Sequence, residues 1–179
     1  MDKQLEMYKH AESMGAFFHG VTYELLFHRI VREANAKRRP VVLNMQGNSN
    51  GEDEATCYSC LKTLGKESYW HSDYPFFPFV DAVTTCKAYS SGRHKFQTIM
   101  AFIQVTIQSE KKFEEDRLRE LNDEMDKNES LRDMERAFVV VCPNFSVCEE
   151  FVLHNTPKPE DFLTMVGCFD PNQLEAKHA

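Results

Sequence analysis

Two strand patterns separated by a charged helical segment constrain the fold of this chain most. Apolar residues alternate at Ile103, Val105 and Ile107, as they do in a strand with one buried face. Residues 137–142 form a continuous apolar run, which is typical of a strand buried on both faces. Residues 110–136 between them are strongly charged and helical in pattern. This order predicts a βαβ unit with two parallel strands and a right-handed crossover.

The charged segment leaves two structures open. A continuous helix over residues 110–136 would be roughly 40 Å long, at 1.5 Å per residue. That length is about the width of a whole domain of this size. The helix therefore projects and finds a partner helix, or the chain turns near Asn128, where Asn128 or Ser130 could cap a second helix.

Helical patterns at the two ends of the chain complete the expected fold. The sequence predicts an N-terminal helix pair over residues 2–14 and 22–36, with Thr22 as the cap of the second helix, and a last short helix over residues 160–166. We therefore expect a single α/β or α+β domain over residues 1–179, with a mixed sheet of about three to five strands. An irregular Cys-, His- and aromatic-rich insertion over residues 47–95 and a flexible tail over residues 170–179 are the expected exceptions.

The overall charge and the N-terminus narrow the classes of function. The 179-residue chain carries a net charge of −7, which disfavours a general binder of nucleic acid or of membrane surfaces. No apolar run approaches the roughly 18 residues of a membrane span, and no signal-peptide core follows Met1. We therefore expect a cytoplasmic or nuclear protein whose cysteines are free thiols, metal ligands or catalytic groups rather than disulfides.

Cysteine and histidine side chains that could bind a metal ion are concentrated in residues 57–94. Two thiols that are two residues apart can bind one tetrahedral ion from a single turn, and zinc is the metal that such nitrogen and sulfur ligands usually select. The predicted ligands are Cys57, Cys60, His71 and Cys86, with His94 as the alternative fourth ligand. The site would be structural and would staple the insertion. The competing interpretation is that the two thiols are small buried hydrophobes.

The same region is rich in aromatic side chains, which carry much of the binding energy in protein interfaces. The candidate partner-binding residues are Trp70, Tyr74, Phe76, Phe77 and Phe79. They either form a core around the insertion or expose an anchor for a protein partner. A non-enzymatic interaction or regulatory protein, binding through this segment or through the charged helix, is the leading functional prediction.

Cys148 is the candidate for an enzymatic alternative. It follows the strand at residues 137–142 and lies near the start of a predicted helix, where the helix dipole lowers the pKa of a thiol. The segment from Cys148 to Val152 resembles the cysteine-centred helix of a group of thiol hydrolases and acyltransferases, with Val147 where those proteins carry asparagine. The resemblance implies a nucleophilic Cys148 and a histidine base. A buried structural thiol is the competing interpretation.

A nucleic-acid-binding or processing module is the third alternative. Its candidate contacts are Lys37, Arg38, Arg39, Arg93 and Lys95. Basic and aromatic residues that alternate can neutralise and stack on a single strand, although the first three residues would also suit the C-terminus of a helix. The chain contains none of the P-loop, GxGxxG, HExxH, GxSxG or EF-hand motifs.

Overall fold

The computed structural model describes residues 3–36, 54–66, 69–72, 77, 79–90, 95–158 and 161–172. These residues form five helices and seven strands of one α+β domain, as the sequence predicts. In chain order they are α1 (Lys3–Glu12), α2 (Ala16–Ala36), α3 (Glu54–Lys62), β1 (Tyr69–His71), β2 (Ala82–Ser90), β3 (Lys95–Val105), β4 (Glu110–Lys112), α4 (Glu115–Asp126), β5 (Arg136–Cys142), α5 (Phe145–Glu150), β6 (Val152–His154) and β7 (Leu163–Cys168).

The main sheet is mixed and has the strand order β1-β2-β3-β5-β7. β1, β2 and β3 are antiparallel neighbours, whereas β3, β5 and β7 run parallel. α4 connects β3 to β5, so the predicted βαβ order is present, and β4 and β6 form a separate two-stranded parallel sheet. Ala82, at the start of β2, pairs with Ile103 near the end of β3. The start of β2 therefore lies beside the carboxyl ends of the parallel strands, the end of such sheets where ligands gather.

Side chains of β3 alternate between two cores on opposite faces of the sheet, because successive residues of a strand point to opposite sides. Met100 and Phe102 belong to a core with α3 and α4, which we call the α4-side core. Ala101 and Ile103 belong to a core with α1 and α2, which we call the α2-side core. The alternating pattern of the sequence thus positions helices on both faces.

Of the two alternatives for residues 110–136, the turn near Asn128 is confirmed and the continuous helix is wrong. The first three residues form β4, and α4 ends at Asp126. The chain then turns at Asn128, whose buried amide Nδ2 donates to the carbonyls of Leu61 at 2.9 Å and Leu64 at 3.0 Å. Ser130 N–H donates to Asn128 Oδ1 at 3.0 Å. Asn128 therefore ties the end of α4 to α3, and the chain continues through turns into β5 instead of a second helix.

The N-terminal helix pair is confirmed, but its second helix begins earlier than expected. Gly15 has φ +109°, a left-handed conformation that glycine adopts at no steric cost, and it separates α1 from α2. α2 begins at Ala16, and the hydroxyl of Thr22 donates to the carbonyl of Phe18 at 2.8 Å. Thr22 therefore lies inside the helix and does not cap it.

The helix predicted over residues 160–166 is also wrong, because residues 163–168 form β7 and pair with β5. A short apolar run suits a helix or a buried strand equally well. Here it forms a strand because the backbone carbonyls and N–H groups along the edge of β5 pair with it. Residues 47–95, expected to be irregular, include α3, β1 and β2. Of the expected flexible tail, Pro171 is buried, and residues 173–179 lie outside the described residues. No helix within the described ranges has the length and apolar character needed to cross a bilayer.

Candidate functional site

Polar side chains collect where β3 ends and β2 begins. They come from α2, β1, the start of β2, the end of β3 and β4. The members of this group, which we call the Asp81 cluster, are Glu24, His28, Tyr69, Asp81, Gln104 and Lys111. Buried or partly buried polar groups are informative because each costs free energy unless it is paired.

Backbone pairing at the end of the sheet holds Asp81 in place. Its N–H donates to the carbonyl of Ile103 at 2.8 Å, and its carbonyl accepts from the N–H of Ser72 at 3.2 Å. The carboxylate accepts from Val105 N–H at 2.6 Å and from Gln104 Nε2, at 2.9 Å to one oxygen and 3.1 Å to the other. Charge-assisted hydrogen bonds of this kind fix both the position and the orientation of the carboxylate.

The pKa of Asp81 is raised from 3.8 to about 6. Burial is the largest cause, because it removes the charged carboxylate from water, and the negative charge of Glu24 is the second. The hydrogen bond from the Val105 N–H and the electrostatic effects of Lys111 and His28 oppose this rise. Asp81 therefore exchanges its proton near pH 6, closer to neutral pH than an ordinary carboxyl does, as general acids and bases do.

α2 contributes Glu24 and His28, which lie one helical turn apart. His28 Nε2 lies 3.8 Å from Glu24 Oε1, and Nδ1 of the buried His28 ring forms a short hydrogen bond with the Tyr69 hydroxyl. Burial, followed by the charge of Asp81, raises the pKa of Tyr69 well above its usual value, so this hydroxyl keeps its proton. The imidazole of His28 also stacks on His71, with ring centroids 5.2 Å apart. Nε2 of His28 is thereby directed toward Glu24.

Lys111 is the cation of the cluster. It is the middle residue of β4, partly buried between the exposed Glu110 and Lys112. Burial lowers its pKa, while the carboxylates of Asp81, Glu114 and Glu24 oppose that change. An amine and two carboxylates therefore act on one another at one end of the sheet.

This arrangement can perform two kinds of chemistry. Asp81 can exchange a proton near neutral pH, and the oxygen atoms of Glu24 and Asp81 are the hard ligands that divalent cations such as Mg²⁺ prefer. Within the described ranges, no three His, Cys, Asp or Glu side chains form a group that could hold a metal by themselves. A cation here would therefore need water or a substrate to complete its coordination.

The described ligands of the predicted zinc site lie on different sides of the sheet. Cys57 is fully buried in the α4-side core and Cys60 packs against that core, whereas Cys86 packs against the α2-side core. His71 stacks on His28 in the Asp81 cluster. His94 lies outside the described residues. The two thiols of the CxxC pair are on α3, and the sheet separates them from Cys86.

The aromatic candidates for partner binding are packed in the protein wherever they are described. Trp70 is 2% exposed and meets the Phe77 ring edge to face at 5.1 Å, and both belong to the α4-side core. Phe79 stacks on Phe138 at 4.6 Å and has φ +76°, a strained conformation for a bulky residue, two positions before Asp81. Tyr74 and Phe76 lie outside the described residues.

Cys148 lies in α5, whose N-cap is Asn144, and packs against the rim of the α4-side core. Cys142 and Cys168 are direct neighbours on β5 and β7. Burial, then the nearby Cys148 and Cys168, raises the pKa of Cys142 to about 12. The pKa of Cys168 is raised by burial and then by Cys148. The three thiols are neighbours, and two of them are poor nucleophiles because they hold their protons firmly.

The basic candidates are not part of the Asp81 cluster. Lys37, Arg38, Arg39 and Arg93 lie outside the described residues. Lys95 begins β3, at the end of the sheet opposite Asp81. Any nucleic-acid site near Asp81 would therefore depend on other cations, of which Lys111 is one.

The sequence analysis missed the Asp81 cluster, although two signals pointed to it. Gln104 is the one polar residue in the apolar second half of β3, Thr106 directly follows the strand, and both are buried in the structure. Glu24 and His28 are four residues apart, so they share a face of any helix that contains them. Comparisons of the chain with protein-family models, curated proteins and solved structures gave no match.

Proposed function

We propose that this protein hydrolyses phosphodiester bonds in nucleic acid at the Asp81 cluster, with a divalent cation bound by Glu24 and Asp81. The observation that carries the proposal is the meeting of two carboxylates and one amine, with the pKa values of Asp81 and Lys111 both shifted, at the carboxyl ends of parallel strands. This proposal develops the third alternative of the sequence analysis and moves its site to residues that the sequence analysis did not select.

The ligand set suits a cation that is shared with its substrate. Mg²⁺ is commonly bound through one or two carboxylates together with substrate phosphates and water, and does not require a complete protein cage. Glu24 and Asp81 are two such carboxylates, and a cation between them would also relieve the repulsion that raises the pKa of Asp81. Gln104 and the Val105 N–H would keep Asp81 directed toward the cation.

The proposed reaction adds one water to one phosphodiester. A cation held by Glu24 and Asp81 would supply a deprotonated water as the nucleophile. Attack of this water on phosphorus would break the bond from phosphorus to one ester oxygen, and that oxygen would take up a proton. The products are a phosphomonoester and an alcohol. Lys111 would stabilise the negative charge that develops on the phosphoryl oxygens, as cations do in phosphoryl-transfer sites.

The acidic overall charge does not contradict this site, because the charge is unevenly distributed. α4 contains six acidic and two basic residues, so it carries four of the seven net negative charges. α2, which supplies Glu24, has equal numbers of acidic and basic residues. Local charge decides whether a phosphate can approach, and a bound cation would add to it.

Cleavage of labelled oligonucleotides tests the proposal. The purified chain is incubated with single-stranded DNA, double-stranded DNA and RNA, in Mg²⁺, in Mn²⁺ and in EDTA. We expect cleavage that requires the cation and that falls by roughly 100-fold or more in Asp81→Asn and in Glu24→Gln. The matched controls are Asp123→Asn and Glu33→Gln, which alter exposed carboxylates on α4 and α2 and should leave the rate within about twofold.

Two results would overturn the proposal. One is cleavage that is equal in Asp81→Asn and in the unchanged protein, which would identify a contaminating nuclease. The other is the absence of cleavage on all three substrates, together with no Asp81-dependent binding of Mn²⁺ measured by electron paramagnetic resonance.

The interaction role expected from the sequence is a second proposal, supported by a different surface. The described aromatic residues of the expected segment are packed in the protein, but α1 and α2 expose several large apolar side chains. Capture of a partner by the unchanged chain, and its loss when that surface is made polar, would support this role.

A further inference from the structure

An uninterrupted apolar strip covers the outer side of α2 at its N-terminal half. It consists of Met14, Phe17, Phe18, Val21 and Leu25, which we call the α2 stripe, and each of these side chains is between 41% and 77% exposed. Phe17, Phe18, Val21 and Leu25 have the spacing of one helix face, and Met14 lies in the turn just before α2. Exposed apolar side chains that occur singly need no explanation, but five within twelve residues form a contiguous patch of the kind that marks an interaction site.

Charged groups are almost absent from this part of α2. Between Ser13 and Leu25 the sequence contains one charged residue, Glu24, and it belongs to the Asp81 cluster. His19 stacks on Tyr8 of α1, with ring centroids 4.7 Å apart. Depletion of charge around a group of aromatic and aliphatic side chains is the composition of the core of a protein interface.

We propose that the α2 stripe is the interface between two copies of this chain, which cross at Val21 on a twofold axis. Phe17 lies four residues before Val21, and Leu25 lies four residues after it. In an antiparallel pair centred on Val21, Phe17 of one copy faces Leu25 of the other, and the reverse contact is identical. A twofold interface requires this kind of self-complementary surface.

The side chains of the stripe also form the ridges and grooves through which helices pack against each other. Phe17, Val21 and Leu25 form a ridge of side chains spaced by four residues, and Phe18 and Thr22 form the parallel row beside it. When such ridges fill each other's grooves, two helices cross at about −50°, the commonest packing angle in globular proteins. This crossing places Val21 against Val21 and limits the contact to the stripe.

The available area fits a dimer of moderate affinity. A fully covered aromatic side chain buries about 150–250 Å², so the stripe offers roughly 400–500 Å² of apolar surface per copy. Two copies would bury roughly 800–1,000 Å² there. Specific interfaces begin at about 1,000 Å² in total, and those at this lower end include weak and transient complexes.

The molar mass of the full chain tests the proposal, measured by sedimentation velocity from roughly 1 µM to roughly 200 µM. We expect a monomer that converts to a dimer over this range. Val21→Glu should abolish the dimer, because it places two like charges against each other on the twofold axis. The matched control is Phe145→Ser, which removes another exposed phenylalanine, outside the stripe, and should leave the equilibrium unchanged.

A mixture of two variants distinguishes the twofold arrangement from simple loss of stability. Val21→Glu and Val21→Lys should each be monomeric, and an equal mixture should form a mixed dimer whose affinity falls as salt is added. Formation of that dimer supports crossing at Val21. A monomer at every concentration overturns the proposal, and so does binding of the monomer to neutral lipid vesicles, which would assign the stripe to a membrane surface. These results are independent of the Asp81 cluster.

Discussion

The Asp81 cluster and the α3–β1–β2 region differ in what the sheet does to their reactive side chains. Members of the Asp81 cluster come from five separate elements, and the end of the sheet brings them together. Cys57, Cys86 and Trp70 come from neighbouring elements, and the sheet separates them into two cores. In the first region, burial and then neighbouring charges shift the pKa values of Asp81, Tyr69 and Lys111. The second region contains side chains whose main partners are apolar. The difference shows that a chemical site forms where the fold brings polar side chains together at the end of a sheet. A high density of reactive residues along the sequence does not create such a site by itself.

Removing the Trp70 side chain should have the largest effect on stability. Trp70→Ala leaves a cavity in the α4-side core beside Phe77, so the free energy of unfolding should fall by about 3–5 kcal/mol. Urea denaturation monitored by circular dichroism measures it. Phe145→Ala, at an exposed aromatic residue, should cost less than about 0.5 kcal/mol. A similarly small loss of stability in Trp70→Ala would mean that this ring is not part of the core, and it would favour the predicted role of Trp70 in binding a partner.

Asp81→Asn should stabilise the protein at high pH. Because folding raises the pKa of Asp81 from 3.8 to about 6, the folded state binds more protons than the unfolded state between these values, and stability falls as pH rises through them. Above pH 7 the full penalty applies, roughly 3 kcal/mol as an upper value. The variant cannot ionise at this position. We therefore expect it to gain roughly 1–3 kcal/mol at pH 8 and almost nothing at pH 4.

Urea denaturation at the two pH values measures this gain, and Asp123→Asn is the exposed control. A loss of stability in Asp81→Asn at pH 8 would mean that its hydrogen bonds to Gln104 and Val105 outweigh its burial, as in a purely structural carboxylate. A gain in stability with a loss of cleavage is the pattern of an active site that is kept at some cost in stability.

Cys57 and Cys86 should be energetically independent. Each Cys→Ala change removes one buried or partly buried sulfur, at roughly 1 kcal/mol, and the double variant should equal the sum within about 0.5 kcal/mol. Residues that shared one zinc ion would instead show a coupling of several kcal/mol, since loss of either ligand would release the metal. Mass spectrometry of the native protein gives the zinc content directly. One zinc per chain with strong coupling would contradict the separation described above.

Most of the fold could be predicted from the sequence because the spacing of apolar residues indicates which face of a strand or helix is buried. Alternation around Ile103 and the continuous run at residues 137–142 identified β3 and β5, and the intervening charge identified a helix. Predicted boundaries of helices and strands were wrong or undecided where contacts with a distant segment of the chain determine the structure. Residues 163–168 form a strand because β5 offers them hydrogen bonds. The sequence left open whether the chain turns near Asn128, and the hydrogen bonds from Asn128 to the carbonyls of Leu61 and Leu64 decide in favour of the turn. Neither partner is visible from local sequence.

The candidate site was harder to predict than the fold, since its members have no characteristic spacing. Asp81 and Gln104 become neighbours through the register of β2 and β3, and Glu24 meets them only after α2 packs on the sheet. The CxxC pair has a characteristic spacing, but α3 uses it to place Cys57 in the core. A polar residue within an apolar strand, such as Gln104, was the more informative signal.

Lys111 and Lys112 provide the smallest and most local test of the contrast between the two regions. Lys111 is partly buried on β4 and its charge lowers the pKa of Asp81, whereas the neighbouring Lys112 is exposed. Lys111→Met should therefore raise the pKa of Asp81 further, and Lys112→Met should leave it nearly unchanged, as measured by carbon NMR of the carboxyl group. The Lys111 change should also shift the stability decline of the protein to higher pH, because the decline ends where the folded carboxyl ionises. Equal shifts from both lysines would mean that Asp81 senses only the general charge of β4, and Lys111 would then have no specific place in the site.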